Sequence, residues 1–239
     1  MQSKLQDIQD FAKMLDQQLY REFGSERVCT LINGGNLFLG EHYVKSDKIF
    51  MTFNPGNPKE GPKKFHVEFS PVDRYWDNPE AHKYPNWKNS NFFFASQPTL
   101  KCWIHDATST FLIPWRTDDI LALNKDRALK QRVCEYSAQI IHKMLEHHQA
   151  RMLIVSGVAT LRYLASKEFL NFDLNSSVVD RFYLGSNYSN YQCKRVQPNR
   201  NYERLVIFQV PHFSRANSKP LLQQCSLWLL NEVSKLKGT

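Results

Sequence analysis

A chain of 239 residues with 42% hydrophobic and 23% charged side chains has material for one large folded domain, which excludes a disordered or low-complexity polypeptide. Lys and Arg total 31 against 23 Asp and Glu, a net charge of +8; that balance favours a polyanionic partner, because cationic side chains release counterions condensed on a phosphate backbone. The 5 cysteines are widely separated and form no CxxC pair, so their spacing points to no metal site and fits a reducing compartment.

The opening stretch, MQSKLQDIQDFAKML, has no apolar run suited to secretion or to spanning a bilayer. The expectation is a cytoplasmic protein (nuclear in a eukaryote), monomeric and without membrane contact. Residues 3–20 place Leu5, Ile8, Phe11, Ala12, Leu15 and Leu19 on one face of a helix. Ile49–Phe53 reads as a short strand running into Asn54-Pro55-Gly56-Asn57-Pro58, where Pro and Gly force a turn. A long loop follows around 57–87, and a connection of that length points to function or to disorder. Phe92, Phe93 and Phe94 read as a buried helical segment, and Lys101–His105 as a second strand. Asp126–His148 is a long amphipathic helix. Met152–Val155 is a continuous apolar run of the kind a buried parallel strand needs. Ala159–Phe169 reads as helix, Leu205–Val210 as strand and Leu221–Leu236 as the last helix.

Short apolar strands alternating with helices imply a single α/β domain over 1–239, a three-layer α/β/α arrangement around a mainly parallel sheet. Ligands of such sheets bind beyond the carboxyl ends of the strands. Asn54, Asp106 and His212 each follow a strand in this reading, so they are expected to share one site.

Three motifs carry the chemistry. In TFNPGNP, Thr52–Pro58, the turn holds the Asn54 amide where it can orient a water molecule. An amide is a poor base, so it suits a reaction whose leaving group departs early. In CWIHD, Cys102–Asp106, an ionised Asp106 accepts an amino proton such as cytosine N4–H. In PHFSRANS, Pro211–Ser218, His212 can donate a hydrogen bond to an oxygen that gains charge during bond cleavage. Ser214, Arg215, Asn217 and Ser218 supply donors for phosphate in the same loop. Each residue also has an ordinary reading as a turn or cap.

Taken in order, these motifs resemble the uracil-DNA glycosylase superfamily, nearest its single-strand-selective monofunctional branch, over roughly residues 30–236. The resemblance implies that Asn54 orients water, that His212 contacts the base and that the HFSRAN loop, with Asn217, enters the duplex. Phe213 stands where the family has Pro. It further implies a Phe stacking on the extruded base shortly after the turn, for which Phe65 and Phe69 are candidates. CWIHD is similar to the family's CFVHN, whose last residue reads the uracil edge. Asp106 cannot donate to uracil O4 when ionised, and so argues for a cytosine-type edge. Because removing ordinary cytosine would be lethal, the expected substrate is a C5-modified cytosine. The long loop would accommodate the added group, as an antiphage glycosylase for glucosylated hydroxymethylcytosine requires.

Phe111–Thr117 is expected to bring Arg116 toward DNA phosphate. The expected reaction is monofunctional hydrolysis after base flipping, on DNA, with no metal or other cofactor and no assigned protein partner. Ordinary uracil excision and non-catalytic DNA binding are the alternatives.

Overall fold

The computed structural model describes residues 2–37, 46–53, 67–69, 85–117, 120–147, 149–175, 178–181, 191–198 and 202–236. In chain order these form α1 (Gln2–Phe23), α2 (Ser25–Leu31), β1 (Gly35–Leu37), β2 (Lys48–Thr52), β3 (Val67–Phe69), α3 (Pro85–Ala95), α4 (Pro98–His105) and β4 (Thr108–Phe111). A 3-10 segment (Ile120–Lys125), α5 (Arg127–His147), β5 (Met152–Ser156), α6 (Val158–Leu164), β6 (Val178–Arg181), β7 (Gln192–Val196), β8 (Val206–Val210) and α7 (Lys219–Leu236) follow.

Side chains alternate across a strand, and the apolar runs of β2, β5 and β8 use both faces. Ile49, Met51, Leu153, Val155 and Ile207 join α1 and α5 in one core layer. Phe50, Ile154, Phe208 and Val210 join α3, α4 and α7 in the other. The result is an α/β fold with helices on both faces of a six-stranded sheet ordered β4-β2-β5-β8-β7-β6. The first four strands are parallel, while β7 and β6 extend the sheet antiparallel. A separate parallel pair joins β1 to β3. Every residue of β5 is buried, as expected for a central strand of a covered parallel sheet.

The helices read from periodicity form, with ends shifted by a few residues. In α1, Ile8, Ala12, Leu15 and Leu19 are buried, and α1 packs on α5. Phe93 and Phe94 are buried in α3. Residues 101–105 differ: they complete α4 instead of forming a strand. Pro98 occupies the first helical turn, where its fixed φ fits and its missing N–H is no loss. Leu100, Trp103 and Ile104 then bury one face at helical spacing. The strand comes immediately afterwards as Thr-Ser-Thr-Phe, all four residues buried. The region read as a long loop contains β3 and, from Pro85, the start of α3. The rest of 57–87 lies outside the described residues.

Candidate functional site at the carboxyl edge of the sheet

From β2 the chain places β4 on one side and later β5 on the other. The carboxyl ends of β2 and β5 therefore form a topological switch point, where open α/β sheets bind ligands. Beyond β2 come Phe53 and then Asn54; Asn54 lies outside the described residues. Beyond β5 comes Gly157, and beyond the neighbouring β8 come Pro211 and His212.

The β5–β8 pairing continues past the strands. Ser156 pairs with Val210, the Gly157 N–H donates to the Val210 carbonyl at 2.9 Å, and the Ser156 hydroxyl donates to the Pro211 carbonyl at 3.2 Å. These bonds bring the His212 ring against the Gly157 backbone. Gly157 has φ 91, and a Cβ there would stand 2.8 Å from His212 Cδ2.

His212 is half-buried. Burial, and then the positive charge of Arg215, hold its pKa below the ordinary 6.5, so the ring is neutral at pH 7. Its Nδ1 lies 2.6 Å from Ser214 Oγ. In the tautomer where the hydroxyl donates to Nδ1, the proton of the neutral ring sits on Nε2 and is available to donate.

The loop carrying His212 is fixed from below. Phe213 is fully buried, its ring 5.2 Å from Phe93 and 6.3 Å from Phe50 between centroids. The Phe213 carbonyl accepts from the Asn89 side-chain amide at 2.7 Å. The Arg215 N–H donates to the His212 carbonyl at 2.9 Å, and the Ser218 N–H to the Tyr191 hydroxyl at 2.6 Å. Ala216 is buried as well. Against this base, Ser214, Arg215 and Asn217 are exposed. Phe213 thus has a packing role that the sequence comparison with Pro did not disclose. Gly157, Asn89 and Tyr191 were also missed. The only local signal among them was the glycine directly after a buried apolar run.

The shared-site expectation fails for Asp106. This residue caps the carboxyl end of α4 and precedes β4, so it stands at the amino edge of the parallel sheet. Thr108 pairs through Ile49 and Leu153 to Ile207. Asp106 is two residues before that level and His212 five beyond it, so a rise of about 3.3 Å per residue separates them by roughly 20 Å along the strands. The Asp106 side chain is 73% exposed and lies 3.9 Å from Lys48 Nζ. A solvated carboxylate on the opposite edge cannot read a base held at His212.

Arg116 does follow β4 at the carboxyl edge. It is half-buried, and its backbone bonds both ways, donating to Gly34 and accepting from Asn33, each at 2.9 Å. Beside it Trp115 is buried and donates from Nε1 to Asp16 at 2.8 Å, tying this segment to α1. Phe65 lies outside the described residues. Phe69 belongs to β3, paired with Leu37, and only its backbone is described.

Among the described residues no group of three or more His, Cys, Asp or Glu is placed to hold a metal ion, and no helix is long and apolar enough to cross a membrane. No protein-family model and no curated protein sequence matches the chain.

Proposed function

We propose that the chain is a monofunctional DNA glycosylase of the uracil-DNA glycosylase type, which flips a base from DNA and hydrolyses its N-glycosidic bond. One observation carries the reading. A neutral histidine is held at the switch-point edge of the sheet by Gly157 and Ser214, in a loop that exposes Ser214, Arg215 and Asn217. The NPG and HFSRAN motifs, the layered α/β fold and the net charge of +8 support the same reading.

In the proposed reaction the bond between C1′ and the base breaks, and its electron pair leaves with the base. His212 Nε2–H donates to the base oxygen on which negative charge gathers. Its neutral state keeps that donor without adding an imidazolium beside Arg215. A preorganised donor of this kind acts mainly on the transition state. Asn54, next in the chain after Phe53, orients the water whose oxygen bonds to C1′. That water loses a proton to solvent, and the expelled base gains one. Ser214, Arg215, Asn217 and Arg116 hold the phosphates around the extruded nucleotide. Stacking on the base falls to Phe65 or Phe69.

With Asp106 exposed at the opposite edge of the sheet, no described residue at His212 favours a cytosine edge or a sugar-modified base. The proposal is base release itself. It is tested by incubating the protein with otherwise identical single- and double-stranded DNAs carrying uracil, cytosine, 5-hydroxymethylcytosine or its glucosylated form. Released bases are identified by mass spectrometry. Release of at least one free base, with the strand left intact, is the expected result. DNA binding without release of any base identifies a binding module and overturns the proposal.

A further inference from the structure

We infer that Gly157 is a positioning residue for His212: the absence of a side chain at the end of β5 lets the imidazole seat against the backbone and sets where its Nε2 points. This inference rests on the role given to His212 above.

A Cβ on Gly157 would meet three atoms of one residue, at 2.8 Å from His212 Cδ2, 3.1 Å from Cβ and 3.3 Å from Cγ. Among the described residues no other side chain intrudes as closely. The backbone on both sides is held, by the Gly157 N–H bond to Val210 and the Ser156 bond to the Pro211 carbonyl. The histidine backbone therefore has little freedom to retreat, and an added methyl would turn the ring about its side-chain torsions. Turning it breaks the 2.6 Å contact of Nδ1 with Ser214, which orients the ring. Gly157 also has φ 91, a conformation that costs an L-residue energy whatever lies nearby. The two effects separate cleanly: the backbone cost is indifferent to the side chain at 212, whereas the ring contact vanishes with it.

A double-mutant cycle of Gly157→Ala and His212→Ala exploits that separation. With His212 present, Gly157→Ala is expected to slow single-turnover base release by about 100-fold, the scale of an ångström-sized misplacement of a catalytic group. With Ala at 212, the same substitution should change the residual rate by no more than about twofold, because its effect is coupled to the imidazole. Two readouts need no substrate. Imidazole 15N spectra should show His212 in one tautomer in the native protein and in a mixture of tautomers in Gly157→Ala. The fall in melting temperature caused by Gly157→Ala should be smaller when residue 212 is Ala. If the native protein releases no base, these two measurements still decide the positioning claim. An unchanged imidazole spectrum, or equal losses of melting temperature in both backgrounds, overturns it. So does failure of Gly157→Ala to fold even beside His212→Ala, since the glycine would then serve the turn alone.

Discussion

The two edges of the central sheet are built to different standards. At the carboxyl edge His212 is half-buried, hydrogen-bonded to Ser214, seated on Gly157 and carried by a loop whose Phe213 fills the core. At the amino edge Asp106 is largely exposed and meets Lys48 only at 3.9 Å, in a geometry where an ion pair contributes little. A polar residue after an apolar run occurs at both places. The difference is what holds it. Fixed geometry and partial burial change a group's chemistry, and a solvated side chain retains its ordinary behaviour.

The largest effect on stability should come from the residue under the carboxyl-edge loop. Phe213→Ala leaves a cavity between Phe50, Phe93 and Phe94, with an expected cost of about 3–5 kcal/mol in denaturant unfolding. A cost near that of a surface substitution would break the claim that the loop is anchored. The two ends of β4 provide a second contrast. Trp115, beyond the strand, is buried and bonded to Asp16, so Trp115→Phe should cost about 1–3 kcal/mol by leaving that carboxylate short of a donor. Asp106, before it, should be silent: Asp106→Asn is expected to change stability by less than about 0.5 kcal/mol.

Between these extremes lies the titration of His212. Its folded pKa is below the ordinary 6.5 because of burial first and Arg215 second, so the unfolded chain takes up the proton before the folded one. The corresponding stabilisation is complete above pH 6.5 and is lost as pH falls through the folded value. Base release should likewise persist just below pH 6.5 and decline as pH falls through the lower folded pKa. Ring resonances followed by NMR should titrate with a midpoint under 6.5, and Arg215→Ala should raise the midpoint toward it. A native midpoint at or above 6.5 would contradict the site's electrostatics.

How much of this was legible depended on the kind of signal. The long helices α1 and α5 and the strands β2, β5 and β8 are written in apolar periodicity, and they emerge with the layered α/β architecture. Residues 101–105 misled because five residues are too few to separate a helical from a strand period. The Pro98 that starts the helix stood outside the segment considered. Strand β4, made of Thr, Ser, Thr and Phe, carries no apolar run, so nothing marked it as the true neighbour of β2. That single error moved Asp106 to the wrong edge. His212 stands at the carboxyl edge, as expected, because it comes two residues after a strongly apolar strand. Tyr191 leaves no local pattern, since its contact with the loop joins distant parts of the chain, and Gly157 is marked only as a glycine after an apolar run.

Whether the chemistry belongs to the carboxyl edge is decided by comparing two variants. Single-turnover base release is measured at saturating enzyme for the native protein, His212→Ala and Asp106→Asn, on the DNA whose base the native protein releases best. Loss of a preorganised transition-state donor predicts a fall of about 10²–10³-fold for His212→Ala, with DNA affinity little changed, and a rate for Asp106→Asn equal to the native one. A native rate in His212→Ala, or a comparable loss in Asp106→Asn, would contradict that placement.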